Sequence, residues 1–203
     1  MTTMTSRWKE TIFLTAAALV VLMLATALQP APGYMDAEYY YAGGLQLAAG
    51  RGFTQPFLWN YLDQPEGLPH PAFTYWMPAA SILAAAGMRI TGATTFLAAR
   101  WPFVLLAAFI PLATLRLAER LGASRGTALF AGWLAVFPGY YLVFSTLTET
   151  FVFYMLGGST FFLILSIETG RLRSGGGWPR YVLFGLVAGG MHAARADGLL
   201  WLG

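Results

Sequence analysis

The sequence predicts an all-α fold: a multi-pass bundle of transmembrane helices with one large first external loop, residues 31–95, that contains interfacial helices. Three observations predict it. The chain is 57% hydrophobic and only 10% charged, with a mean hydropathy of +0.58, whereas a soluble domain carries about 25% charged residues. Uncharged apolar stretches recur, several close to the roughly 20 residues that a helix needs to cross a bilayer. The arginines gather in short clusters between those stretches, as basic residues do on the cytoplasmic side of membrane proteins. One transmembrane domain over residues 1–203 follows. The chain has no cysteine, so disulfides and thiolate metal sites are excluded. A net charge of +3 is too small to argue for a nucleic-acid partner.

Residues 11–35 carry no charge, and the first span is expected over about 11–30. Arg7 and Lys9 precede it, as they would precede a signal peptide. The apolar run is longer than a signal-peptide core and further spans follow, so an uncleaved first helix is expected. Later spans are expected over about 97–116, 127–147, 150–167 and 181–194, with a sixth starting at 196. The chain then stops at "ADGLLWLG", which reads as the N-terminal part of a longer protein.

The basic clusters set the expected topology. Arg7/Lys9, Arg116/Arg120/Arg125 and Arg171/Arg173/Arg180 all fall on one side if the N-terminus is cytoplasmic and 31–95 is a single external loop. The apolar segment 72–88 would break this parity if it crossed. It is therefore expected to lie at the outer interface or to dip in and return, with Tyr75 and Trp76 at headgroup level. Asp36, Glu38, Asp63, Glu66, Glu149 and Asp197 then face outside. The stretch "RSGGGWPR" (173–180) reads as a flexible internal turn.

The external loop holds most of the chemistry. In "GYMDAEYYYAGG" (33–44), Asp36 is placed to cap a short amphipathic helix, Glu38 sits in its first turn, and Gly50 stops it. Such a cap needs no function. Asp36 and Glu38 point to different helix faces, whereas Asp36 and Tyr40 share one. From Gly52 to Pro71, prolines and glycines deny regular helix. Phe53, Phe57, Trp59 and Tyr61 there either bury the loop on the membrane surface or form a stacking surface for sugar rings or lipid. Glu149, in "STLTETFVFY", lies at a tight external turn. Either Thr148 or Glu149 caps the start of the next helix, or Glu149 faces a polar site, since a carboxylate beside a span is costly otherwise. His192, Arg195 and Asp197 interrupt an apolar stretch, where ionisable groups are functional candidates. Arg195 with Asp197 also reads as a local ion pair.

These pieces in this order resemble GT-C-type membrane glycosyltransferases, especially the protein mannosyltransferase and aminoarabinose transferase branch. The resemblance covers the whole chain as the family's N-terminal part. It rests on Asp36 in "MDAEYYYAGGLQLAAGRGF", His70 in "HPAFTYWMPAASIL", "AARWP" (98–102), Glu149 in "STLTETFVFY" and Arg195 in "GLVAGGMHAARADGLL". It implies an enzyme of a bacterial plasma membrane, with a cytoplasmic N-terminus and an external site. The enzyme would move a sugar from a polyprenyl-phosphate donor to a protein, lipid or glycan acceptor. Asp36 would be the general base, or would hold a divalent metal where a family member uses one. Glu149 would orient the acceptor or assist catalysis. Glu38 and Tyr40 would contact substrate, and His70, Arg100 and Arg195 would contact the lipid phosphate. Two departures stand out. Ala37 separates acids that are adjacent in close relatives, and His70 occupies a place where many carry lysine. The competing class is a transporter or lipid-handling scaffold, for which internal repeats are the signature. None is evident in the sequence.

Overall fold

Helix α1, Met4–Ala27, opens the computed structural model, which describes residues 4–59, 66–169 and 178–202. No proline or glycine interrupts it, and its last turn tightens through Leu28 N–H to Ala25 O and Gln29 N–H to Thr26 O. Helix α2, Met35–Ala48, ends where Gly50 takes a left-handed conformation (φ +75°). There Gly50 N–H bonds to Leu47 O at 3.1 Å and Arg51 N–H to Gln46 O at 2.9 Å. This pair of bonds satisfies carbonyls that a helix end otherwise leaves open. Two short strands, β1 Thr54–Gln55 and β2 His70–Pro71, then pair antiparallel.

Helix α3, Ala79–Thr91, packs tightly on α2 because both present small residues. A Cβ on Gly43 would meet Ser81 Oγ at 2.6 Å, and one on Gly44 would meet Ala84 Cβ at 2.8 Å. Helix α4, Phe96–Ala107, is capped by the Thr95 hydroxyl, which accepts from Ala98 N–H at 3.2 Å. It continues almost directly into α5, Ile110–Arg120. Helix α6 is Arg125–Val136, α7 is the single turn Tyr141–Phe144, α8 is Phe151–Thr169 and α9 is Pro179–Ala194. A 3-10 helix, Ala196–Leu202, closes the described chain.

The long helices run back and forth between two ends with opposite character. Arg7 of α1, Arg116 and Arg120 of α5, and Arg125 of α6 meet at one end. Phe162 and Leu165 of α8 lie beside Leu117 and Leu121 there. At the other end, Arg100 at the head of α4 bonds to carbonyls at the tail of α1. Tyr154, near the head of α8, bonds to Asp197 just past the tail of α9. The core follows this axis. Leu14, Ala18 and Leu115 pack nearer the basic end, Leu22, Val104 and Val152 in the middle, and Tyr39, Tyr40, Ala84 and Phe103 toward the acidic end.

The fold is therefore all-α, as expected. Among the described residues, two helical stretches are long and apolar enough to cross a membrane, Arg7–Ala27 and Phe96–Arg120. Ala79–Thr91, Phe151–Ser166 and Tyr181–Ala194 are apolar but shorter.

Several expectations are corrected. The stretch 127–147 is not one helix. Pro138 offers no amide hydrogen, Phe137 leaves the helical region (φ −118°, ψ 72°), and Gly139 turns left-handed (φ +56°). The sixth span does not begin as an α-helix, since residues 196–202 form a 3-10 helix. Asp36 is not the cap of α2. Tyr34 holds the cap position without a side-chain bond, and Asp36 lies inside the first turn. Residues 72–78 are not helical, and α3 starts only after Pro78. The loop aromatics Phe57 and Trp59 pack on the core around Tyr39, Tyr40 and Phe103. Tyr39 and Tyr40 are core residues, because α3 and α4 cover the face of α2 that carries them. Tyr61, Asp63, Arg171, Arg173 and most of the 173–180 turn lie outside the described residues.

Candidate functional site

Three segments build the acidic end: the first turns of α2, the turn 145–150 between α7 and α8, and the tail of α9 with the start of the 3-10 helix. The 145–150 turn is polar yet buried. Ser145, Thr146, Thr148, Glu149 and Thr150 are all shielded from solvent. Buried polar groups must find partners, and most do. Ser145 Oγ donates to Tyr141 O at 2.8 Å, Thr146 Oγ1 to Val143 O at 3.0 Å, and Thr148 Oγ1 to Ala37 O at 2.7 Å. The last bond ties the turn to the opening of α2, so Thr148 is a brace rather than a helix cap.

Glu149 is the exception. It is only 2% exposed. Its Oε2 accepts from Thr150 N–H at 2.6 Å and from Thr150 Oγ1 at 3.2 Å. Its Oε1 is buried without a hydrogen-bond partner. Burial is the main cause that pushes this carboxyl up to about 7, and the negative charge of Asp36 adds to it. The Thr150 amide and Arg195 pull in the other direction without cancelling the burial.

Asp36 accepts from the Tyr34 hydroxyl at 3.1 Å. Burial and that carboxylate push Tyr34 up to about 12. Tyr40 is buried one helical turn after Asp36. Burial raises its phenol well above the ordinary range, and the charges of Glu149 and Asp36 raise it further, while Arg195 lowers it. Asp36, Tyr40, Glu149 and Arg195 thus sit within electrostatic reach of one another.

Arg195 is held from two sides. Its Nε donates to Asp197 Oδ1 at 3.1 Å and its Nη2 to Asp197 Oδ2 at 3.3 Å. Its guanidinium lies over the Tyr154 ring, 5.6 Å from the centroid. The Tyr154 hydroxyl donates to Asp197 Oδ1 at 2.6 Å. That bond, with Arg195, holds Asp197 below the usual carboxylate range. The pair borders a cavity of about 340 Å³ lined by Tyr75, Trp76, Met77, Arg195, Ala196 and Asp197. The Trp76 indole N–H is buried and has no partner. The arrangement offers a proton-exchanging carboxyl at neutral pH, a second carboxylate near it, and a cation on an aromatic support.

Asp36, Glu149 and Arg195 therefore lie within electrostatic range of Tyr40, while three other expected site residues are engaged elsewhere. Glu38 is exposed, on the side of Tyr41. The His70 ring is buried with Nε2 2.9 Å from Phe57 O, where it braces the β1–β2 loop. Arg100 is 4% exposed and donates through Nη1 to Gln29 O at 2.6 Å and through Nη2 to Thr26 O at 2.7 Å. It caps the tail of α1, where carbonyls accumulate and a cation is favoured. Tyr34 and Tyr154 were not expected at the site. Tyr154 meets Asp197 only because Gly157 lets Met191 of α9 approach α8 closely, and no local pattern signals that. Among the described residues no three His, Asp or Glu side chains gather as a metal site. Comparison with protein-family models, with curated proteins and with solved structures finds no match to this chain.

Proposed function

We propose that this chain is a multi-pass membrane domain whose acidic end transfers a sugar from a polyprenyl-phosphate donor to an acceptor hydroxyl. In this reading the protein sits in a bacterial plasma membrane with its N-terminus in the cytoplasm and the acidic end outside. Apolar side chains on the flanks support the embedding. Ile12, Phe13, Val20 and Leu24 of α1, Phe130 and Leu134 of α6, and Tyr181 and Leu186 of α9 all lie outside the protein core. Contiguous apolar surface of this kind calls for a cover, and lipid supplies it. In this reading five helical passes alternate across the membrane, and the charge bias of membrane proteins supports a cytoplasmic basic end.

The observation that supports the chemistry is that the charges of Asp36, Glu149 and Arg195, from three separate segments, all act on Tyr40, with Glu149 buried and one of its oxygens unpartnered. In the proposed step the acceptor hydroxyl gives its proton to Asp36. The freed oxygen bonds to the anomeric carbon, and the bond from that carbon to the phosphate oxygen breaks. The departing phosphate takes the electron pair and is stabilised by Arg195. Glu149 holds the acceptor through Oε1.

The test is transfer from a polyprenyl-phosphate sugar by the intact protein in lipid nanodiscs. A general base contributes roughly 10²–10⁴-fold. Asp36→Asn is expected to lower turnover by that order while insertion and melting stay as in the wild type. Asn keeps the size and an acceptor for Tyr34 but cannot take the proton. Wild-type turnover in Asp36→Asn would remove Asp36 from the chemistry. Failure of the wild-type protein to bind any polyprenyl-phosphate donor would remove the whole reading.

A further inference from the structure

The basic end carries a second, unassigned site. Arg7, Arg116, Glu119, Arg120, Ala123 and Arg125 line a cavity of about 600 Å³. Two of its arginines are locked in place. Arg125 pairs with both Glu10 and Glu119, and Arg116 donates from Nη1 to Glu119 at 3.0 Å and from Nη2 to Thr11 Oγ1 at 3.3 Å. The other two, Arg7 and Arg120, have side chains that bond to no described residue. Four guanidinium groups face two carboxylates, which leaves an excess of two positive charges around an open space.

A separate feature adjoins it. An apolar groove of about 500 Å³ is lined by Leu117, Leu121, Phe162 and Leu165, with Ser166 and Arg120. Arg120 belongs to both the cavity and the groove. A hydrophilic anion would fill only the cavity, and a neutral chain would fill only the groove. A molecule with an anionic head and a hydrocarbon tail fits both, with Arg120 at the junction. Basic pockets between helices at the cytoplasmic interface suit anionic lipid headgroups, and arginine matches phosphate oxygens with a two-pronged fork.

We propose that this end binds an anionic phospholipid, its phosphate among Arg7, Arg116, Arg120 and Arg125 and one acyl chain along the Leu117–Leu121–Phe162–Leu165 groove. The site lies at the end of the bundle opposite Asp36 and Glu149, so it is separate from the transfer site. The proposal rests on the membrane reading given above but not on glycosyl transfer.

The test uses the full chain, purified in a neutral detergent and titrated by native mass spectrometry with phosphatidylglycerol, phosphatidylcholine and inorganic phosphate. The wild type is expected to retain phosphatidylglycerol in preference to phosphatidylcholine and to hold no inorganic phosphate. A basic side chain near a lipid surface contributes about fivefold in affinity. Arg7→Gln and Arg120→Gln should each lower that preference by about this factor, and both together by roughly 25-fold. Lys9→Gln is the control, because Lys9 is exposed near the same end but does not line the cavity. Leu165→Asn should weaken both lipids through the groove. An unchanged preference in the double variant, an equal loss in Lys9→Gln, or retention of inorganic phosphate at the lipid's affinity would each overturn the proposal. Extraction of the protein from cells without detergent would refute the membrane reading instead, so the two failures are distinguishable.

Discussion

Glu149→Gln isolates the energetics of the candidate site. Burial raises this carboxyl from an ordinary 4.5 to about 7 in the folded protein. A difference of one unit corresponds to about 1.4 kcal/mol, so the shift amounts to roughly 3 kcal/mol disfavouring the ionised form. The folded state binds the proton more tightly than the unfolded state. Between pH 4.5 and 7 the unfolded chain has lost the proton while the folded protein keeps it. Stability should therefore fall as pH rises through this window, then stay level with respect to this group above it. Glutamine carries no charge at any pH, and its carbonyl oxygen can still accept from Thr150 N–H. The variant should match the wild type near pH 4 and exceed it at pH 8 by up to about 3 kcal/mol, less whatever its unpartnered amide costs. For a chain of about 200 residues each kcal/mol moves Tm by roughly 2–4 °C, so the gain at pH 8 should be easy to detect. The assay is thermal unfolding in detergent at a series of pH values, for wild type and variant in parallel. Superimposable pH profiles for the two proteins would show that Glu149 carries no buried charge penalty, and the reasoning would fail.

Other outcomes follow from the same geometry. Arg100→Ala should destabilise the protein by about 3 kcal/mol, since two charge-assisted bonds to Thr26 O and Gln29 O are lost. Arg100→Lys should recover only part of this, and donor affinity of the folded fraction should not change in either variant. Gly87→Ala puts a Cβ 2.4 Å from Ala98 O, between α3 and α4. Overpacking of that kind costs about 1–3 kcal/mol, and a normal melting temperature would show that the two helices do not approach so closely. Because the chain has no native cysteine, single cysteines at Thr54 and Ala123 give clean topology probes. They should react with an impermeant reagent from opposite sides of a sealed membrane, and labelling from one side would refute the alternating passes.

The sequence by itself determined the all-α class of the fold and some of its local features. Apolar runs and a charged fraction of only 10% predicted helices, because a helix satisfies its polar backbone groups internally where apolar surroundings offer no partner. The arginine clusters foretold that Arg7, Arg116, Arg120 and Arg125 would share one end of the bundle, which they do. Gly50 as a helix stop was equally legible, since its left-handed backbone is a local property of glycine. Pro138-Gly139 was legible in the same way, but it lies inside an apolar run whose length alone was read as a span. Roles that depend on distant partners were not legible. Asp36 and Glu149 are more than a hundred residues apart, and the bond from Thr148 to Ala37 O, with Ala37 packed on Leu147 and the Tyr34 ring on Phe144, brings their segments together. Arg100 and His70 were expected to contact a phosphate because the family resemblance implies that role for them. The tertiary structure instead puts the carbonyls of Thr26 and Gln29 in front of one and that of Phe57 beside the other. A buried polar side chain takes the nearest unsatisfied backbone group, and which group is nearest is decided by packing between segments rather than by neighbours along the chain.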